Sequence, residues 1–348
     1  MRNQDMKVLQ LTENQHVEQR EVAIAARPAA GMVRLKMSYI TLNHLDLFSY
    51  RGMAFARRQL PIVVGAEGAG EVVAVADEQD AHWLGKYAVV YPSYFCGQCK
   101  NCLARQENLC LGGGGILGFH RDGLAREYAD IPSAMLIAVP DDVSLTDAAC
   151  APVTCATVHH MLVNNAELQR GESVLIHSGG SGIGSVAIRL ALHLGAAVYT
   201  TVGSEEKAAL ARELGAEIAI NYRQKRFSQV IHTLTYKRGV NVVFEHVGKN
   251  TWEQSITSLA LGGRLVTCGS TSGMEGNTPL YTLFNRQLRI IGSFGSPKAS
   301  VQASLTLMAK RQVLPVIDSI YPIEEYVQAI EKLRQRSVFG KLVLKMWG

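Results

Sequence analysis

Four cysteines fall within the fifteen residues CGQCKNCLARQENLC at 96–110, in a chain of 348 residues that has seven cysteines in all. Their spacing, C-x2-C-x2-C-x7-C, gathers Cys96, Cys99, Cys102 and Cys110 on one loop, with Gly97 permitting a tight turn. Four thiolates close a tetrahedral shell round Zn²⁺ and leave no position for water or substrate, so the predicted site is structural. An iron–sulfur cluster also uses four cysteines, but the spacing matches neither the proline-terminated C-x2-C-x2-C-x3-C run nor the plant-type pattern. A chain of this length buries its cores without disulfides, and an odd cysteine count excludes complete pairing. Cys150, Cys155 and Cys268 stand apart and are predicted to be small core or pocket-wall residues.

A second site of chemistry lies at VLIHSGGSGIGSVAIRLALHLGA, where a glycine cluster follows an apolar strand and opens a helix. Gly180, Gly182 and Gly184 give G-x-G-x-G, with Gly179 beside them. Small residues in this context let backbone N–H groups approach a pyrophosphate at the positive end of a helix. Ile183, Val186, Ala187, Leu190, Ala191 and Leu194 form one apolar face of that helix. The next strand ends in TTVGSEEK without the Asp or Glu that usually meets the ribose hydroxyls of the unphosphorylated cofactor. Gly203, Ser204 and Lys207 offer space, a hydroxyl and a positive charge there, which predicts a 2′-phosphate and hence NADPH. Glu205 and Glu206 pull the other way unless the helix turns them aside.

These sites need two kinds of element to position them. From about Val8 to Val90, short alternating segments such as VRLKMSY at 33–39, GEVVAVA at 70–76 and KYAVVYP at 86–92 predict a mostly-β domain. From about Thr157, strand-like runs alternate with helix-like ones, which predicts a parallel sheet covered on both faces. A helix is expected around 324–334 and a strand at 341–346, a tail able to return to the first domain. Hydrophobic residues make up 47% and charged residues 19%, and no run of about 18 apolar residues predicts a membrane span. The N-terminus lacks a signal-peptide pattern, so the cytoplasm is the expected location. A net charge of +5 without a long basic tract gives nucleic acid no support as a partner.

The chain resembles the medium-chain dehydrogenase/reductases, the zinc alcohol dehydrogenase and quinone oxidoreductase superfamily, over nearly its whole length. The resemblance rests on NHLDL at 43–47, GAEGAGEV at 65–72, the four-cysteine lobe, the glycine turn, VGSEEKAALARELGA at 202–216 and GKLVL at 340–344. It implies an α/β architecture: a GroES-like β-barrel catalytic domain at 1–153 with a zinc lobe at 94–112, a Rossmann NADP-binding domain with a doubly wound parallel sheet at 154–297, and a C-terminal return at 298–348. It further implies NAD(P)(H)-dependent hydride transfer in the cleft between domains, and a homodimer or tetramer.

Members that oxidise alcohols hold a second, catalytic zinc through a Cys, the His of a G-H-E motif, and a further Cys or acidic residue. Here Asn43 stands at the first position, the motif reads Gly65-Ala66-Glu67, and the third position is Val153, with Cys155 two residues late. A catalytic zinc needs about three protein ligands and one open position, so no catalytic metal is expected; His44, Glu67 and Cys155 are the improvised alternative. Without a Lewis acid an unactivated alcohol is a poor substrate. A quinone or α,β-unsaturated carbonyl spreads the arriving charge onto oxygen by its own conjugation, so donors and solvent protons suffice. The expected function is NADPH-dependent reduction of such an acceptor. The alternatives are a zinc-dependent alcohol or polyol dehydrogenase with atypical ligands, and an NADPH-binding sensor without turnover.

By the same resemblance, Asn43 hydrogen-bonds the nicotinamide or the substrate oxygen. Asp46 and Glu67 organise the pocket floor or serve as buried structural carboxylates. Tyr50, Arg51 and Tyr94 are candidate donors to a substrate oxygen. Thr157 opens the interdomain helix, and Ser181, Gly182 and Ile183, next to Gly180, meet the pyrophosphate. Tyr222 joins Lys207 near the adenosine phosphate. His246, Val247, Cys268, Gly269 and Ser270 line the nicotinamide, with Phe294 and Ser296 completing that wall. Adjacent His159 and His160 are read as packed or solvated. The substrate stays open, because its walls come from variable segments such as 53–60.

Overall fold

Alternation of side chains sets the first strands. In the computed structural model, which describes residues 4–53 and 58–348, Val33, Leu35 and Met37 of the strand Met32–Thr41 are each at most 1% exposed, the period of two that a half-buried strand requires. The register against Glu67–Val75 then slips between Met37 and Tyr39. Such a bulge re-aims the side chains beyond it, so Ile40 is buried and Thr41 pairs directly with Glu67.

The chain divides into two compact units. The first comprises Met1–Cys155, Pro297–Arg311 and Ile317–Gly348. Its larger sheet runs Ile317–Pro322, Lys341–Lys345, Met32–Thr41, Glu67–Val75, Tyr87–Val90, Leu136–Ala138, with Tyr128–Pro132 also against Met32–Thr41. A smaller sheet joins His16–Ile24, Gln4–Glu13 and Ile62–Val63. The last strand of the chain, Lys341–Lys345, lies antiparallel to Met32–Thr41 with Val343 opposite Thr41. The helix anticipated around 324–334 begins as a 3₁₀ turn, Ile323–Glu325, and is α-helical over Tyr326–Arg334.

The second unit comprises Ala156–Ser296 and Gln312–Val316. Its six parallel strands lie in the order Ile218–Asn221, Ala197–Val202, Ser173–Ile176, Val240–Glu245, Leu259–Thr267, Arg289–Gly292. That is the doubly wound Rossmann order, whose switch point falls between Ser173–Ile176 and Val240–Glu245. Val174, Leu175 and Ile176, and likewise Val242, Val243 and Phe244, are consecutive and fully buried, because helices cover both faces of such a sheet. Phe227, Ile231 and Ile256 close one face of this core. The helical run expected to open at Thr157 starts earlier, with a π-helical turn at Ala151–Cys155 followed by Ala156–His159 and a second π turn at His160–Asn165. His159 and His160 on it are partly buried, which lowers both pKa values.

Candidate active site

In the first unit the strand pairing gathers a polar cluster inside an apolar barrel. Glu67 is fully buried, and six donors surround its carboxylate. Oε1 accepts from the backbone N–H groups of Val153 (2.7 Å) and Thr154 (2.8 Å). Oε2 faces Thr41 Oγ1 (2.6 Å), Asn43 Nδ2 (2.9 Å), Lys341 Nζ (3.1 Å) and Thr154 Oγ1 (3.2 Å). Burial alone would raise the Glu67 pKa, but the Lys341 ammonium and these donors outweigh it and hold the group ionised. Lys341, 2% exposed, spends its three protons on Glu67, Leu42 O (2.8 Å) and Asn43 Oδ1 (2.8 Å).

Asp46 ties the helix His44–Arg51 to the neighbouring turn. Its Oδ2 accepts from Asn43 N (2.8 Å) and its Oδ1 from Ala66 N (3.2 Å). Burial outweighs these two donors and the more distant Lys341 ammonium, and lifts its pKa to about 6. The sequence candidates therefore separate. Asn43 and Glu67 meet directly and Asp46 braces them, whereas buried Tyr50 turns toward Glu331 and Arg334 of the C-terminal helix, and Arg51 is exposed in the last helical turn. Tyr94 stacks under Arg121, 5.5 Å from its ring centre. Residues 54–57 of the stretch 53–60 lie outside the described residues. Thr41, Thr154 and Lys341 escaped sequence reasoning, although a lysine opening the apolar strand KLVLK was the available signal.

In the second unit, the nominated nucleotide-binding residues follow the carboxyl ends of parallel strands and so share one edge of the sheet. Ser181 caps the helix Gly182–His193, its Oγ accepting from Gly184 N at 3.0 Å. The turn allows no side chain at two places: a Cβ on Gly184 would stand 2.2 Å from Ser178 O, and one on Gly179 2.3 Å from Thr200 Oγ1. The helix terminus and its small-residue approach fit a pyrophosphate. At the next strand end, Ser204 caps Glu205–Glu213 through Lys207 N (3.2 Å), and the Glu205 carboxylate accepts from Asn221 Nδ2 at 3.0 Å. The Tyr222 hydroxyl lies 2.8 Å from where a Gly203 Cβ would be. Thr157 belongs to this unit but to the helix Ala156–His159.

A buried network unforeseen in the sequence braces the switch point. Glu245 accepts from Val247 N (2.7 Å), Gly248 N (3.1 Å) and Ser255 Oγ (2.7 Å). Ser255 Oγ in turn lies 2.8 Å from His177 Nε2, and His177 O accepts from His246 Nε2 at 2.8 Å. Burial keeps both histidines neutral. The network fixes the backbone at His246 and Val247 relative to the glycine turn. Beyond the next strand, Cys268 N donates to Glu245 O (3.2 Å), Gly269 is partly buried and Ser270 exposed. Phe294 is 63% exposed and Ser296 buried.

The ligand atoms of Cys96, Cys99, Cys102 and Cys110 all lie within 4.8 Å of one another. Cys96 Sγ and Cys102 Sγ are 4.0 Å apart, against about 3.8 Å for a tetrahedron with Zn–S bonds of about 2.3 Å. Backbone N–H groups, that of Cys102 first, pull the Cys99 thiol down to about 6, while burial and the neighbouring thiols push Cys102 up to about 12, so a bound cation would be what makes all four thiolates. These residues fit a closed structural zinc. Among the described residues they are the only group of three or more His, Cys, Asp or Glu whose ligand atoms lie close enough to hold a metal ion.

Comparison with known proteins gives the same architecture. A family model described as "Alcohol dehydrogenase GroES-like domain" matches residues 29–141, and one described as "Zinc-binding dehydrogenase" matches 182–310. The "Zinc-type alcohol dehydrogenase-like protein C1773.06c" of Schizosaccharomyces pombe is 29% identical over 94% of this chain and 94% of its own. A "2-haloacrylate reductase" of Burkholderia sp is 32% identical over 71% of this chain and 67% of its own. The solved "NAD-dependent alcohol dehydrogenase" superposes with a TM-score of 0.91 at 34% identity, covering 98% of this chain and all of that one. The chain belongs to the medium-chain dehydrogenase/reductase superfamily, with GroES-like and Rossmann domains, and it is an oxidoreductase of that family. Among the described residues no helix is long and apolar enough to cross a membrane.

Proposed function

We propose that the protein reduces an activated acceptor, a quinone or an α,β-unsaturated carbonyl, with NADPH and without a catalytic metal. The observation that carries this reading is the Glu67 cluster. Every acceptor position on its carboxylate already faces a donor, and the cation beside it is Lys341. Ala66 and Val153 bring no ligand atom, so a metal here would have to displace a buried ammonium. The substrate must then supply its own electrophilicity. Asn43, the partly exposed member of the cluster, donates Nδ2–H to the substrate oxygen as charge collects there, and solvent delivers the proton.

Bound on the second unit, the nicotinamide nucleotide supplies the hydride. Ser181, Gly182 and Ile183 hold its pyrophosphate by backbone donors, and Ser204, Lys207 and Tyr222 take the 2′-phosphate. Diversion of Glu205 to Asn221 supports the phosphorylated cofactor, because it draws the nearest carboxylate toward another partner. The four cysteines hold one structural zinc per chain. A cytoplasmic location belongs to the same reading, because clustered cysteines serve as metal ligands rather than disulfides in a reducing compartment. A homodimer is proposed through the sheet edge Arg289–Gly292.

The names of two similar proteins also favour a rival, an alcohol dehydrogenase using NAD. One experiment separates the two. NADPH and NADH consumption is followed with quinones, enones and an alcohol–ketone pair, alongside metal analysis. Expected are NADPH oxidation with a quinone or enone and one zinc per chain. Fast turnover of the alcohol pair with two zincs would establish the rival, and nucleotide binding with no turnover on any acceptor would make the protein a sensor.

A further inference from the structure

The amide of Asn43 sits between a cation and an anion. Its Oδ1 accepts from Lys341 Nζ (2.8 Å) and Thr154 Oγ1 (3.0 Å), while its Nδ2 donates to Glu67 Oε2 (2.9 Å). An ammonium has only donors and an ionised carboxylate only acceptors. Turning the amide over would set N–H₂ against Lys341 and C=O against Glu67, two repulsions in place of two charge-assisted bonds. Among the described residues the second Nδ2 proton meets only Thr41 O, at 3.5 Å, longer than the 2.7–3.2 Å of a normal N–H···O bond and so a weak hold. One amide proton is therefore pinned and the other is left to meet a ligand.

We propose that Lys341 is a positioning residue that fixes the Asn43 amide with its free N–H toward the substrate oxygen. This rests on the reading of Asn43 as the substrate's donor. Thr154 cannot replace Lys341, because its single hydroxyl proton is shared between Asn43 Oδ1 and Glu67 Oε2 at 3.2 Å. Without the ammonium, Glu67 would tend to take up a proton. A protonated Glu67 is itself a donor and welcomes the reversed amide. Lys341 thus acts twice, by bonding the oxygen end and by keeping Glu67 an acceptor for the nitrogen end.

The test compares wild type with Lys341→Met, Lys341→Arg and the double variant Lys341→Met/Glu67→Gln. The double variant removes both members of the buried pair together and keeps the question open to measurement should Lys341→Met alone fold poorly. Expected for Lys341→Met is a fall in kcat of about a hundredfold, the lower end of the range for a lost donor to a developing oxyanion, with NADPH Kd unchanged. Lys341→Arg should recover part of kcat. The double variant should recover Tm but not kcat, because a neutral Gln no longer dictates the amide's direction. Recovery of kcat together with Tm would reduce Lys341 to a counterion and overturn the proposal.

An NMR readout stands apart from turnover. The side-chain amide signals of Asn43, identified by their absence in Asn43→Ala, should exchange with water about tenfold faster in Lys341→Met, as expected when a charge-assisted bond is lost. Unchanged exchange would also overturn the proposal. Wild-type protein with no reductase activity but with Lys341-dependent amide exchange would defeat the functional reading and leave the Lys341–Asn43 coupling standing.

Discussion

A carboxylate shut away from water answers to whichever donors the fold sets round it, and Asp46 and Glu67 answer in opposite directions. Both are at most 2% exposed. Glu67 has an ammonium and stays ionised, whereas Asp46 has two backbone donors and burial lifts it to about 6. A raised acid binds its proton more tightly in the folded state, so its contribution to stability is present below the unfolded value of 3.8 and is lost as pH climbs to about 6. A two-unit shift corresponds to about 3 kcal/mol. Urea unfolding of wild type and Asp46→Asn between pH 4 and 7 should show wild type losing roughly that much relative to the variant; parallel curves would show that Asp46 titrates normally. The carboxylates themselves were visible in NHLD and GAEG, but their opposite states were not, because each is set by neighbours distant in the chain.

The strand–turn–helix at 173–193 is where local sequence says most. A continuous apolar strand, a glycine turn and an amphipathic helix each require only neighbours within a few residues, and all three are present in the fold. Ser178, at φ +51°, turns the chain so that its carbonyl lies against Gly184. Gly184→Ala must push that carbonyl or the helix N-terminus aside, since backbone cannot give as a flexible side chain does. NADPH Kd, read by fluorescence titration, should rise at least about tenfold, and the overpacking should lower stability by about 1–3 kcal/mol. Retention of full NADPH affinity would show that the turn is not the pyrophosphate site. The helical run at 151–165 was less legible, because its π turns follow from tertiary packing and leave no periodic signature in APVTCATVHH.

At the scale of the whole molecule, the second unit's sheet ends on Arg289–Gly292, a strand with one side unpaired among the described residues. Ile290 on it is 37% exposed, and Leu280, Tyr281 and Phe284 of the preceding helix Leu280–Asn285 are about 70% exposed each. An open edge with apolar neighbours invites pairing with a like strand, and antiparallel pairing of two such edges closes a two-fold dimer. Light scattering should give twice the chain mass of 37.9 kDa for wild type, and Ile290→Glu should shift the protein toward one chain mass with its zinc retained. A monomeric wild type at micromolar concentration would refute the edge as an interface.

The sequence by itself determined what depends on near neighbours: the four-cysteine loop, the glycine turn with its capped helix, the change from strand alternation to strand–helix alternation, and the loss of His and Cys from the metal positions. Tertiary structure alone decided what those losses left behind. Lys341 reaches Asn43 across 298 positions and Glu67 across 274, and Thr154 reaches Asn43 across 111. Nothing in local periodicity encodes such separations. They follow from the last strand pairing with Met32–Thr41 and from a bulge that turns Thr41 toward Glu67. Once those strands pair, a buried carboxylate must find donors or lose its charge, and Lys341, at the start of the last strand, is the cation the barrel places within reach.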